Sequence, residues 1–227
     1  MSPRSATIQV NSVSYQASLG NDRAHVPDRK MNRDAAIDTR LCARSLEVYM
    51  NTQTHPLEAY FHEIVQSTYT SKLGLSDPEI TGYVARMLCE FAEPDNIFRL
   101  RDESGKLIEN LNEMVRASDP VFGTAPSFDA ERAARKYIGD YALFVAGLCH
   151  DVVKAGASAE NAGATLAELM KVGKESYFIV SQFNVFEYEK EAPLFTRLSD
   201  DFERCILGLA LVREELRERM AQAPQEK

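Results

Sequence analysis

The last fifth of the chain carries one apolar stripe that keeps helical spacing from Leu194 to Leu216. Its members are Leu194, Leu198, Phe202, Cys205, Ile206, Leu209, Val212 and Leu216. Residues three and four positions apart share one face of an α-helix, so this spacing predicts a single long amphipathic helix. A helix of this kind buries its stripe against other helices or a sheet, and the rest of the sequence decides which.

Further apolar stripes with helical spacing follow one another from residue 54 onward. Thr54 precedes the first, and the second starts in "SDPE", where Ser76 and Glu79 have capping-box spacing around Pro78. Ser127 is placed to cap a long later helix. No alternating apolar and polar strands interrupt these stripes. The sequence therefore predicts an all-α fold, an irregular bundle of about six main helices.

The expected domain organisation is a tail followed by one helical domain. Residues 1–53 are a polar tail, possibly with a short helix at 34–49, and we expect residues 1–33 to be disordered because they lack a sustained apolar stripe. Met50 opens the first strongly patterned stretch and is an alternative translation start. Residues 54–221 form a single helical domain, and residues 222–227 are a frayed C-terminus.

The net charge of the chain and the length of its apolar runs argue against two classes of partner, nucleic acids and membranes. The chain has a net charge of −8. Residues 1–54 hold seven Lys or Arg against five Asp or Glu, so the acidity lies in the remainder. An acidic body argues against nucleic acid, which normally meets a basic face. The longest apolar run, 141–149, is far shorter than the ~20 residues of a membrane-spanning helix, so we expect no membrane partner.

The cysteine pattern favours a cytoplasmic protein. The four cysteines, Cys42, Cys89, Cys149 and Cys205, lie far apart, and no C-x-x-C occurs. We interpret them as small buried apolar residues in a reducing compartment, in preference to disulfides or a zinc site.

The stretch "GLCHDVVKAG" (147–156) raises a metal hypothesis. Metal-dependent phosphohydrolases of the HD type bring an upstream His, a His-Asp pair and a downstream Asp to a metal that activates water. The candidates are His62, His150, Asp151 and Asp201. The long separation of His62 from His150 favours another interpretation, a helix that emerges into solvent with cations near its C-terminus. We expect no metal and no cofactor.

The predicted helix that begins after Ser127 has an unusually smooth side. Gly139, Ala142, Ala146 and Gly147 interrupt its large apolar residues. Glycine inside a helix costs about 1 kcal/mol relative to alanine, so two of them indicate a compensating benefit. Close helix packing is the commoner cause, and room for a ligand is the alternative.

Several polar residues lie within or beside the apolar stripes. They are Asp140, Tyr141, Lys174, Tyr177, Arg197 and Asp201. These side chains form either a buried ion-pair network or the lining of a pocket for a small anionic ligand.

Five segments resemble a widespread group of uncharacterised bacterial helical proteins. They are "YVARMLCEF" (83–91), "LIENLNEMV" (107–115), "YIGDYALFVAGL" (137–148), "GKESYFIVSQ" (173–182) and "EAPLFTRLSDDFERCILGLALVREEL" (191–216). The resemblance covers about residues 55–217. It implies a helical bacterial protein of the cytosol and no activity.

These observations favour a non-catalytic binding or self-association module, whose partner is a second copy or another protein. An HD-like metal-dependent phosphohydrolase and a helical small-ligand-binding protein are the alternatives. No G-x-S-x-G elbow and no Glu-x-x-His signature occur in the sequence. Their absence inclines the interpretation away from an enzyme.

Overall fold

The computed structural model describes residues 57–93, 96–97, 99–102, 104–149 and 164–222. These residues form seven α-helices and no β-strand beyond one isolated bridge pair, so the all-α prediction is confirmed. The helices are α1 (Leu57–Leu73), α2 (Pro78–Ala92), α3 (Leu111–Ala117), α4 (Phe128–Leu148), α5 (Leu166–Gln182), α6 (Ala192–Asp200) and α7 (Phe202–Gln222). The predicted tail, its helix at 34–49 and residues 223–227 lie outside the described part.

Short polar side chains begin four of these helices. Asn110, Ser127 and Thr165 each accept a hydrogen bond from a backbone N–H in the first turn of α3, α4 and α5. At α2 the predicted cap is shifted by one residue. Asp77, and not Ser76, accepts the N–H groups of Glu79 and Ile80 at 3.0 and 3.2 Å. Pro78 therefore occupies the first helical position, where its missing N–H costs nothing.

The long C-terminal helix predicted from one stripe is two helices. α6 ends at Asp200, Asp201 caps it outside helical geometry, and α7 begins at Phe202. The break leaves the stripe intact because Leu198, before it, and Phe202, after it, are both fully buried. Apolar spacing alone therefore did not reveal the break.

α4 lies at the centre of the bundle. Every residue from Tyr137 to Cys149 is buried, so this half of the helix is covered on all sides. α4 packs against α5, α7 and α3, while α1 packs against α2 and α7. All seven helices contribute side chains to one connected apolar core.

Glycines mark the closest helix crossings. A Cβ placed on Gly139 would lie 2.5 Å from Tyr177 Cε1, and one on Gly147 would lie 2.5 Å from Leu209 Cβ. Gly173 meets the ring of Phe202 in the same manner, and Gly208 meets the ring of Tyr69. Ala142 and Ala146 are buried on the same helix as the first two glycines. Of these glycines, Gly173 and Gly208 had drawn no prediction.

We expect Gly139→Ala to destabilise the protein by about 1–3 kcal/mol, because the new methyl group overlaps the Tyr177 ring. The change is measured as the free energy of unfolding in urea. Gly82→Ala is the matched control. Its Cβ would meet only Arg86 Nη1, at 3.7 Å, so the gain in helix propensity should stabilise α2 by up to about 1 kcal/mol. If the two variants behaved alike, the contact at Gly139 would not be tight.

Candidate functional site

A buried carboxylate on α4 joins three helices. Asp140 is 4% exposed, and one of its oxygens accepts the hydroxyl of Tyr83 from α2 and, at 2.7 Å, that of Tyr177 from α5. Its other oxygen accepts the ammonium of Lys136 at 2.9 Å, from one turn earlier on α4. Three donors thus satisfy a charge that would be costly to bury alone.

The missing side chain at Gly139 gives Tyr177 its place in this cluster. The Tyr177 ring lies against the bare backbone of α4 at Gly139, directly beside Asp140 in sequence. Its hydroxyl therefore reaches the Asp140 carboxylate. The glycine on the smooth side of α4 therefore allows the hydrogen bond between Tyr177 and the buried Asp140.

Both tyrosines are hydrogen-bond donors at ordinary pH. Burial, and then the charge of Asp140, raise the pKa of Tyr83 and of Tyr177 well above the usual tyrosine value. Neither phenol ionises near neutrality, so the cluster keeps two fixed O–H donors on Asp140. This chemistry suits positioning and does not suit proton transfer near pH 7.

A cavity of about 230 Å³ lies beside this cluster, between α2, α4 and α6. Its lining consists of four apolar or aromatic side chains and four charged ones: Tyr83, Met87, Leu194 and Phe195, then Arg86, Glu90, Lys136 and Glu191. The Tyr83 and Phe195 rings meet edge to face, with centroids 5.4 Å apart. Lys136 thus contacts the cavity and the buried carboxylate.

The other residues proposed for a polar network lie elsewhere. Lys174 pairs with Glu203 at 2.9 Å, and Asp201 pairs with Arg204 at 2.8 Å. Arg197 binds the helix-capping Asp77 at 2.8 Å and also Glu79, which ties α6 to the start of α2. Tyr141 is buried beside Tyr137, with ring centroids 6.4 Å apart. The structure brings together only Asp140 and Tyr177 of the six.

The described residues contain no group of three or more His, Cys, Asp or Glu placed to hold a metal ion. His62 is exposed on α1, and Asp201 is engaged with Arg204. His150 and Asp151, the centre of the metal hypothesis, lie outside the described residues, so that hypothesis stays a prediction.

The cysteines differ from one another. Cys89 and Cys205 are free, and burial is the main cause that raises the pKa of the first thiol to about 11 and of the second to about 12. Neither supplies a thiolate near neutral pH. Cys149 is disulfide-bonded, so the expectation of unpaired cysteines is wrong at this position.

Large apolar side chains that no apolar stripe predicts are exposed in the loop before α4, at the first residue of α4 and in the segment after α5. Phe122 is 89% exposed and Phe186 is 86% exposed, and the set is Val121, Phe122, Phe128, Val185 and Phe186. We call these five residues the apolar end. The start of α4 and the segment after α5 meet there, since Tyr188 donates to Asp129 at 3.2 Å.

The backbone at Phe186 is unusual. Its φ is 54°, in the left-handed region that side chains other than glycine, asparagine and aspartate seldom occupy. A bulky residue held there costs about 1–3 kcal/mol, and such positions cluster at binding sites. The fold thus holds an aromatic ring in solvent on a strained backbone. Apolar residues inside turn-rich segments, "DPVFG" and "NVFEY", were the signal available in the sequence.

Comparison with known proteins adds no relative: no family model, no curated protein and no solved structure matches this chain. In the part of the chain that the structure describes, no helix has the length and apolar character needed to cross a bilayer.

Proposed function

We propose that this chain is a non-catalytic binding module and that the apolar end is its contact surface for another protein. The observation that carries the proposal is the exposure of five large apolar side chains, three of them phenylalanines, in the loop before α4, at the start of α4 and in the segment that contacts it. Grouped exposed apolar residues mark interaction sites more often than single ones do. Aromatic residues also dominate the energetics of protein interfaces.

The strained backbone at Phe186 supports the same role. Glycine at this position would relieve the strain, yet the chain places phenylalanine there and exposes it. A cost in stability without a benefit to packing inside the fold is consistent with selection for contact with a partner.

Charge around the apolar end indicates the chemistry of the partner. Asp129, Glu187 and Glu189 are exposed beside it, against two exposed bases: Lys190, and Arg116, whose backbone lies next to Gly123. We propose that the partner presents an apolar segment flanked by Lys or Arg. A second copy of this chain fits less well, because it would bring its own carboxylates against these and carries a net charge of −8.

The experiment places a photo-crosslinking amino acid at Phe122 or Phe186 in the cells that produce the protein. We expect one discrete adduct with another protein that contains a basic apolar segment. The same amino acid at Phe178, which is exposed on α5 outside the apolar end, should give none. An adduct with a second copy of this chain would contradict the choice of partner, and the absence of any adduct would contradict the proposal.

Binding to the purified partner is then measured for variants of the apolar end, to distinguish a loss of the contact surface from a loss of stability. Phe122→Ser with Phe186→Gly should weaken binding by at least about tenfold, the loss expected from two interface aromatics. The same variant should be no less stable than the wild type, because glycine relaxes the backbone at residue 186. Phe178→Ser with Leu207→Ser removes two exposed apolar side chains elsewhere and should bind normally.

A cytoplasmic, bacterial protein is part of this proposal. The resemblance to bacterial proteins and the absence of C-x-x-C motifs support it. The disulfide at Cys149 counts against a reducing compartment. Thiol alkylation of protein from freshly lysed cells tests the compartment, because a reducing cytosol should leave Cys149 reactive after denaturation.

A further inference from the structure

We propose that the cavity between α2, α4 and α6 binds a small amphipathic carboxylate, with Arg86 and Lys136 holding its carboxylate group. The proposal is independent of the apolar end. It rests on which charged side chains around the cavity already have a partner and which do not.

Both carboxylates on the cavity lining already hold an arginine. Glu90 pairs with Arg99 at 3.4 Å, and Glu191 pairs with the largely buried Arg132 at 2.7 Å. The hydroxyl of Tyr83 is directed to Asp140. A ligand that offers donors would therefore compete with existing ion pairs.

Several donors on the cavity lining are not engaged. Arg86 lines the cavity and, among the described residues, has no hydrogen bond or ion pair. A guanidinium carries five N–H donors in a fixed fork that matches a carboxylate. Lys136 also lines the cavity, uses one of its three donors on Asp140, and has a side chain that is 32% exposed. The donors left free on the lining therefore match a carboxylate, which supplies acceptors together with a charge.

The remaining walls define the rest of the ligand. Met87, Leu194 and Phe195 are apolar, and the Tyr83 ring stands at a right angle to Phe195. The volume of about 230 Å³ is below the range of roughly 300–1,000 Å³ typical of pockets for drug-sized ligands. A short aliphatic chain or a single aromatic ring, joined to one carboxylate, fits these limits.

The test uses benzoate as the probe, added to the full-length protein labelled with ¹⁵N. Saturable shifts in the amide spectrum should be centred on α2 and α6, beside Met87 and Leu194. Benzamide has the same shape without the charge, and inorganic phosphate has the charge without the ring. Both should bind at least about tenfold more weakly, as expected when one charge-assisted interaction or the apolar contact is lost.

Variants assign the binding to this cavity. Arg86→Gln should weaken benzoate binding by about tenfold or more. Arg116→Gln removes an exposed arginine on α3, away from the cavity, and should leave binding unchanged. Leu194→Trp should block binding by filling the cavity without a change in charge. Equal affinity for benzoate and benzamide, equal affinity of the wild type and Arg86→Gln, or no saturable binding would each overturn the proposal.

Discussion

Replacing Asp140 with alanine is expected to destabilise the protein by about 3–5 kcal/mol. The substitution leaves the hydroxyls of Tyr83 and Tyr177 buried without their acceptor. Each stranded donor costs about 1–3 kcal/mol. The freed ammonium of Lys136 adds less, because that side chain reaches solvent. The measurement is the free energy of unfolding in urea, with a melting temperature as a second value.

A second substitution, Tyr177→Phe, tests whether Asp140 is the shared acceptor, because its effect on stability should change direction when Asp140 is absent. Tyr177→Phe should destabilise the wild type, because it removes a hydrogen bond to Asp140. In the Asp140→Ala background the same change should stabilise, because it removes a buried hydroxyl that has lost its acceptor. Asp140→Asn, which keeps an acceptor oxygen, should lie between the wild type and Asp140→Ala. A destabilising effect of Tyr177→Phe in both backgrounds would contradict the role of Asp140 as the shared acceptor.

The second large effect is expected at the crossing of α5 and α7. Phe202 is fully buried, lies on Gly173 and has its ring centroid 5.7 Å from that of Tyr177. Phe202→Ala should cost about 3–5 kcal/mol through lost burial and the cavity that remains. Gly173→Leu alone should also destabilise, because its side chain overlaps the Phe202 ring.

The double variant gives the decisive measurement. With Phe202 shortened to alanine, the leucine at position 173 has the vacated space to enter, so the two costs should not add. We expect the double variant to be more stable than Phe202→Ala by about 1 kcal/mol or more, part of the lost burial being restored. Additive costs would show that the two positions do not share one space.

Helical spacing of apolar residues predicted most of the helices, but it did not predict where one helix ends and the next begins. The helical apolar spacing at 80–91 and at 166–180 predicted helices close to those observed, because both segments bury apolar side chains in a shared core. The break at Asp201 was missed, since a single residue outside helical geometry leaves the apolar spacing unchanged. Ser76 was favoured over Asp77 as a cap because capping-box spacing ignores which side chain reaches the N–H groups.

The candidate site was less predictable than the fold. Asp140 and Tyr177 were proposed together, but Tyr83 was assigned to an apolar stripe, and a hydroxyl on such a stripe gives no sign of where it points. Lys136 and Arg86 received no prediction from the sequence. Their relation to one cavity depends on how α2, α4 and α6 pack, which residue spacing within one helix does not contain. Arg197 was proposed for the same network, but its partners Asp77 and Glu79 lie at the start of α2, which only the tertiary structure shows.

The glycines at the helix crossings also affect how the chain folds. α4, α5 and α7 each carry at least one interior glycine whose bare backbone is covered by a side chain from another helix. Such residues weaken a helix in isolation by about 1 kcal/mol each, so peptides of these segments should be poorly helical in water. Secondary structure would then form together with association of the segments. We expect the refolding barrier to respond to changes at these crossings, with little helix present before it.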